Sequence, residues 1–360
     1  MKILYLITSF EAGGAEFAIA DIVTAIREQG HDVHVLACEP RDLGAVERLE
    51  KANISYDLLC KKRRSKWIVL VSLLKEIQRF KPDVILTSLN RATAIGQQAG
   101  YLCKIPVVSF KNSTFCQRST HRQKALSKLW IADSCTVVDT LKNTLGIAPS
   151  RIMNWPLYYC DVQVPSALPW DGVSPLKMGS LGRLCPQKNY TALLDGLKLF
   201  SEQHPQWAAQ LRVTILGDGE QRDELEAQIK RQGLEDIVAL PGYSSAVSEF
   251  LAEQHVYIQP STFEGLCIAV HEAMNSGLPI IATPVGEIKN SVVEGESGFI
   301  LNTEQIAASL CETLTQIFTS PHLLKEYGEA AQGYVRTAYS QTAFKQTACD
   351  ILERMAQRES

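Results

Sequence analysis

Residues 2–38 read KILYLITSFEAGGAEFAIADIVTAIREQGHDVHVLAC, and this stretch decides the fold. Residues 2–9 form a short apolar run of strand type. Gly13 and Gly14 make a turn, an apolar-periodic segment runs to about Gln29, Gly30 ends it, and residues 32–38 are a second apolar run. Strand, glycine turn, helix, strand is a βαβ unit, and its crossover makes the two strands parallel. The first run stops at Thr8 and has no small-residue cleavage site, so a buried strand is expected rather than a signal peptide.

The same alternation continues outward. A helix is expected over 67–80 before Pro82, with strands over 83–87, 106–110 and 135–138. Pro165, Pro169 and Pro175 then punctuate a stretch of linker composition over 161–176. A second series follows: strands over 176–181, 212–216, 237–240, 256–259, 279–282 and 298–301. Helices are expected over 190–203, with Asn189 as N-cap, and over 222–232, ended by Gly233. The expected architecture is α/β, with two Rossmann-like domains facing across a cleft. An N-terminal domain spans 1–160, a linker 161–176 and a C-terminal domain 177–340; a last helix over 341–360 packs back on the first domain. Ligands of such sheets sit outside the carboxyl ends of the strands.

Composition narrows the class. The 360 residues are 46% hydrophobic and 21% charged, which excludes a disordered or fibrous chain. The net charge of -3 is unevenly divided. Residues 1–160 hold 22 basic and 14 acidic side chains, residues 161–360 hold 14 and 25, and 18 basic against 5 acidic fall within 51–151. Such asymmetry fits either a basic face for an anionic partner or ordinary surface variation. None of the ten cysteines forms a C-x-x-C pair, which speaks against a zinc site and for a reducing compartment. No stretch of about 20 apolar residues is present to span a bilayer.

Three motifs can carry chemistry. Gly13-Gly14 opens a helix without the G-x-G-x-x-G spacing, and reads either as a plain turn or as a close backbone approach to an anion. Gly182-Arg183-Leu184-Cys185-Pro186-Gln187-Lys188-Asn189 joins a strand to a helix and offers two cations suited to a diphosphate, or two solvated loop charges. Phe263-Glu264-Gly265-Leu266-Cys267-Ile268-Ala269-Val270-His271-Glu272-Ala273 places two glutamates eight apart. With a helix beginning near Gly265–Leu266, the amides of Gly265, Leu266 and Cys267 point at an anion, and a helical rise of about 12 Å separates the carboxylates. That exceeds the roughly 5–9.5 Å of a glycosidase pair but suits two ends of one extended ligand.

On these residues the chain resembles the family 4 glycosyltransferases of GT-B fold. The resemblance also includes Gly30-His31-Asp32-Val33-His34-Val35, Pro82-Asp83-Val84-Ile85, Leu216-Gly217-Asp218-Gly219 and Leu240-Pro241-Gly242-Tyr243, and the E-x7-E element Glu264…Glu272 is its most specific part. It implies a retaining sugar transferase with a nucleotide-sugar donor. Arg183 and Lys188 would hold the donor diphosphate, Glu272 the ribose hydroxyls and Glu264 the sugar hydroxyls. The amides of Gly265, Leu266 and Cys267 would meet sugar and phosphate, Gly13-Gly14 would approach the diphosphate, and the base would lie near Gly242 and Tyr243. No D-x-D pair occurs, so no metal and no cofactor are expected, and the two cations stabilise the leaving diphosphate. Where many members of the family carry a His near the donor sugar, this chain has Lys111, read either as its replacement or as a loop lysine.

The acceptor side falls in the N-terminal half by the same resemblance. There Lys61, Lys62, Arg63, Arg64 and Lys66 lead through Trp67 into an apolar helix, a pattern for an anionic membrane surface or for a core-packed helix beside a solvated loop. Arg118, Arg122, Lys124 and Lys128 form a second basic group able to meet an acceptor diphosphate. The expectation is a cytoplasmic enzyme, peripheral at the inner face of the plasma membrane. Its donor is a UDP-sugar in preference to GDP-mannose, and its acceptor a polyprenyl-diphosphate-linked oligosaccharide for O-antigen, capsule or a similar surface polysaccharide. No nucleic-acid partner is expected. The alternatives are a soluble acceptor, or a nucleotide-sugar 2-epimerase of related fold.

Overall fold

The computed structural model describes residues 1–356, which divide into two units. The first holds Met1–Tyr159 together with the chain from Gln341; the second is Cys160–Ser340. Each is an α/β layer structure around one parallel sheet, so the expected pair of Rossmann-like domains is the observed fold class.

The first unit's strands are β1 (Lys2–Ile7), β2 (Asp32–Ala37), β3 (Tyr56–Leu58), β4 (Val84–Ser88), β5 (Val107–Lys111), β6 (Leu129–Ala132) and β7 (Ile152–Asn154). Their order is β3-β2-β1-β4-β5-β6-β7, parallel throughout. β1 lies inside the sheet, between β2 and β4, and its last five residues, Ile3–Ile7, are fully enclosed, as a strand covered on both faces requires. The helix Lys66–Phe80 buries Val69, Leu70, Leu73 and Ile77, spaced for one helical face. The C-terminal helix Gln341–Ala356 sits in this unit through Phe344, whose ring lies 5.2 Å from that of Trp155 and 5.0 Å from that of Tyr159. Lys345 adds an ion pair to Glu28 at 2.8 Å.

The second unit's strands are β8 (Leu176–Leu181), β9 (Leu211–Leu216), β10 (Val238–Gly242), β11 (Val256–Gln259), β12 (Ile280–Ala282) and β13 (Gly298–Ile300), in the order β10-β9-β8-β11-β12-β13. The chain moves one way from β8 and returns to the other side at β11. The switch point therefore lies between β8 and β11, as it lies between β1 and β4 in the first unit.

Three local expectations are corrected. Residues 135–138 are not a strand: Cys135–Asp139 is helical, because the Ser134 hydroxyl accepts the Val137 N–H at 3.3 Å and caps it. The strand is the preceding buried run, β6. Asn189 does precede the helix Tyr190–Gln203 but stands in the left-handed region at φ 57° and makes no side-chain cap; its amide donates to the Pro260 carbonyl at 3.2 Å. Residues 161–176 belong to the second unit rather than linking two. Trp170 is buried against Phe318, a burial contributing on the order of 2–3 kcal/mol, and the Ala167 N–H donates to Ser276 O at 2.7 Å.

Candidate functional site

The second unit's switch point is lined by two loops. Gly182–Lys188 leaves β8 and ends in the short turn Pro186–Lys188; residues 260–267 leave β11. They meet at Lys188 and Glu264, whose Nζ and Oε1 are 2.8 Å apart. Both are largely buried, Glu264 at 6% exposure. Burial alone would lower the Lys188 ammonium, but the adjacent Glu264 carboxylate outweighs it and holds the group well above the usual lysine range. The pair is thus charged and desolvated together.

Glu264 has further donors. Gln187 Nε2 approaches Oε2 at 3.3 Å while also donating to Phe263 O at 2.9 Å. The Ser261 hydroxyl donates to Oε1 at 2.7 Å. Behind Ser261 runs a buried chain of one direction: Leu181 N–H to Tyr257 OH at 3.1 Å, Tyr257 OH to Gln259 Oε1 at 2.9 Å, and Gln259 Nε2 to Ser261 Oγ at 2.8 Å. The Tyr257 hydroxyl also lies 3.3 Å from the Leu181 carbonyl; Gln259 Nε2 donates to Ser261 Oγ, and the Ser261 hydroxyl in turn donates to the carboxylate. Thr283 holds the loop's backbone by donating to Ser261 O at 2.6 Å, and Glu287 N–H donates to Gly265 O at 2.8 Å. Gly286, at φ 57°, passes so close that a Cβ would come within 2.5 Å of Gly265 O.

The loop departs from expectation at its end. The helix begins at Ile268, not near Gly265–Leu266, and Cys267 before it is left-handed at φ 59°. An 12 Å helical rise between Glu264 and Glu272 therefore does not apply, because only the last part of that interval is helical. His271 secures the turn: one ring nitrogen donates to Cys267 O at 3.0 Å and the other accepts from the Ser291 hydroxyl at 3.0 Å. Burial pushes this imidazole down to about 4, so it is neutral and structural at pH 7. The Cys267 thiol is enclosed and raised by burial and by Glu264. Glu272 is half-buried on the helix Ile268–Asn275. Arg183 is exposed in the first loop.

On the other flank Gly242 ends β10 at φ 97° and Tyr243 is exposed. Arg222 ties this edge together, donating to Asp218 at 3.0 Å, Glu226 at 2.8 Å and Leu240 O at 3.2 Å. The i, i+4 spacing of Arg222 and Glu226 on the helix, with Asp218 in the preceding loop, carried that signal in the sequence. The Tyr257–Gln259–Ser261 chain was signalled only by polar residues closing an otherwise buried strand.

In the first unit, Gly13 is extended and precedes a helix of four residues, Gly14–Phe17, separate from Ile19–Glu28. Lys111 ends β5 and is buried. Its ammonium donates to Ser113 O at 2.5 Å, Ser113 Oγ at 3.0 Å and Phe115 O at 2.8 Å, which uses all three N–H groups on its own loop. Burial lowers it below the usual lysine range. This geometry favours the loop-lysine reading over replacement of a sugar-facing His. Lys61, Lys62, Arg63, Arg64, Lys66 and Trp67 are all exposed, Trp67 at 73%. Arg118 and Arg122 are exposed on the helix Arg118–Gln123, whereas Lys124 turns inward to the Leu145 carbonyl. Among the described residues no group of three or more His, Cys, Asp or Glu is placed to hold a metal ion, and no helix is long and apolar enough to cross a membrane.

Comparison with known proteins follows the same two halves. Residues 12–157 match the model of Glycosyltransferase Family 4 and residues 173–334 that of Glycosyl transferases group 1. The chain is 32% identical to the Vi polysaccharide biosynthesis protein VipC/TviE of Salmonella typhi over 36% of its own length and 22% of that protein's. It is 25% identical to the UDP-Gal:alpha-D-GlcNAc-diphosphoundecaprenol alpha-1,3-galactosyltransferase of Escherichia coli over 66% and 67% of the two. The chain spans less than half the length of the curated relatives it matches first. Among solved structures, Anabaena HepE in complex with UDP-glucose shares the fold with a TM-score of 0.84 at 22% identity, covering 98% of this chain and 100% of that one.

Proposed function

Because the two matched domains place this chain in the group 1 and family 4 glycosyltransferases, we propose that it is a retaining transferase moving a sugar from a UDP-sugar to a polyprenyl-diphosphate-linked oligosaccharide. The product would serve a surface polysaccharide. One observation carries the reading: the buried Lys188–Glu264 pair at the switch point of the second unit, with Arg183 in the same loop. A donor diphosphate gains charge as its glycosidic bond breaks, and Arg183 and Lys188 are the cations there to stabilise it. Glu264 already accepts from Lys188, Gln187 and Ser261. A carboxylate so engaged is a poor nucleophile and a good acceptor for sugar hydroxyls, which supports front-face departure over double displacement. The Escherichia coli relative's UDP-Gal donor and diphosphoundecaprenol-linked acceptor support the donor and acceptor classes.

The test is incubation with a panel of nucleotide sugars and a polyprenyl-diphosphate sugar. Release of UDP from one donor is expected, and Glu272→Ala should raise that donor's KM about tenfold or more through lost ribose hydrogen bonds. No nucleoside diphosphate from any donor would refute the transferase.

The membrane reading rests on the helix Lys66–Phe80, which has two apolar faces. Val69, Leu70, Leu73 and Ile77 are buried, while Trp67, Ile68 and Val71 are exposed beside the basic run. The helix can thus pack in the core and present its start to lipid, the cations adding about 1 kcal/mol each near an anionic surface. Trp67→Ser is expected to reduce cosedimentation with phosphatidylglycerol vesicles while leaving the fold intact. Equal binding by the variant would remove the helix from the membrane contact.

A further inference from the structure

The first unit has its own switch point, between β1 and β4, and the residues gathered there are not those of the donor site. Two residues beyond β2, Glu39 is 2% exposed. It faces three guanidiniums from three separate segments: Arg41 Nε at 3.3 Å, Arg91 NH1 at 3.6 Å and Arg63 Nε at 4.0 Å. Arg41 also pairs with Glu11 at 2.5 Å. Arg91 reaches the Arg64 carbonyl with NH2 and so ties the basic run to the start of the helix Asn90–Cys103. Glu39 N–H and Ala92 N–H both bond Thr8, at O and Oγ1, 3.1 and 3.3 Å away, which seats the cluster at the end of β1.

Several groups here are incompletely matched. Arg91 Nε, Glu39 Oε2 and Ser9 Oγ are buried and have no hydrogen-bond partner among the described residues, Glu39 Oε2 being within ion-pair distance only; Ser9 is fully enclosed, next to Thr8. Leu89, joining β4 to the helix, stands at φ 69° and ψ 151°, a region that essentially only glycine occupies, and strain of that kind collects at ligand sites. Three arginines against Glu39 and Glu11 leave a positive excess. Arg63 meets Glu39 only at 4.0 Å and its side chain is 80% exposed, so most of its planar fork of donors is accessible to a phosphate.

We propose that this switch point, through Arg63, Arg41 and Arg91 oriented by Glu39, binds the phosphate-bearing end of the acceptor, distinct from the lipid contact of Trp67 and from Arg118 and Arg122. The inference rests on the diphosphate-linked acceptor proposed above and names where that diphosphate sits. A phosphate of either origin, a diphosphate-linked acceptor or a lipid headgroup, shares this chemistry. The experiment separates them: calorimetric titration of the full chain with soluble geranyl diphosphate, beside sedimentation with phosphatidylglycerol vesicles. Arg63→Ala and Arg41→Ala should each raise the geranyl diphosphate Kd about tenfold, the loss of one charge-assisted contact, with vesicle binding unchanged in Arg41→Ala and weakened in Arg63→Ala by no more than the roughly fivefold of one surface cation. Arg91→Ala should do the same, and the exposed Arg63 keeps the test decisive if Arg91→Ala fails to fold. Arg183→Ala is run in parallel. Loss of diphosphate binding in Arg183→Ala alone, an unchanged Kd in Arg63→Ala and Arg41→Ala, or loss of vesicle binding in place of diphosphate binding would each overturn the assignment. Because binding needs no donor turnover, a diphosphate effect without transfer would uphold this site and remove the transferase reading instead.

Discussion

Lys188→Ala is expected to abolish donor turnover and to lower unfolding stability by about 3–5 kcal/mol, because it leaves Glu264 buried without its countercharge. Urea unfolding and donor kcat/KM measure the two effects. The double variant Lys188→Ala with Glu264→Gln separates them: removing the orphaned charge should restore much of the stability and none of the activity. Wild-type stability and activity in Lys188→Ala would show that the pair is a surface feature and not the centre of the site. The sign of the pH dependence follows from the raised Lys188 value. Its stabilising contribution is complete below the ordinary lysine value of 10.5 and is lost only as pH rises through the higher folded one, so the variant's deficit should be constant across the neutral range.

Gly217→Ala is the second large effect. Gly217 follows β9 at φ 147°, and a Cβ there would overlap the carbonyl oxygen of Gly182, the residue that opens the Arg183–Lys188 loop. Steric displacement and backbone strain together should cost about 3–5 kcal/mol and displace the cation loop, so stability and donor affinity fall together. Gly233→Ala is the control. Gly233 also has positive φ, at 69°, but nothing lies within 4 Å of an added Cβ, so only about 1 kcal/mol of conformational cost is expected. Equal losses in the two variants would mean that conformation alone, and not the approach to Gly182, accounts for Gly217.

Much of the fold and the motifs of the candidate site were legible because their signals are local. Alternating apolar runs and glycine stops announce parallel βαβ units, and Arg183, Lys188, Glu264 and Glu272 lie in motifs a few residues long. The errors came where short-range patterns compete. Residues 135–138 are β-branched and apolar enough for a strand, yet Ser134 caps them into a helix and the buried run at β6 takes the place in the sheet. Asn189 has the composition of an N-cap, but its side chain is drawn to Pro260 across the site. Lys111 offered a charge, and only the folded loop shows that Ser113 and Phe115 absorb it.

The sequence by itself determined the two parallel α/β domains, the family and the residue types in the 182–188 and 260–267 loops, since periodicity and motif spacing are carried by neighbours along the chain. Only the tertiary structure decided which of those residues act on one another. Lys188 and Glu264 lie 76 positions apart and meet because β8 and β11 are adjacent in the sheet. The same pairing strings Tyr257, Gln259 and Ser261 into a chain of donors ending on Glu264. Glu39 collects arginines from three segments because β1 lies between β2 and β4. Such contacts depend on strand order, and strand order is set by which apolar faces bury together, a property of the whole packed sheet that no single stretch of residues contains.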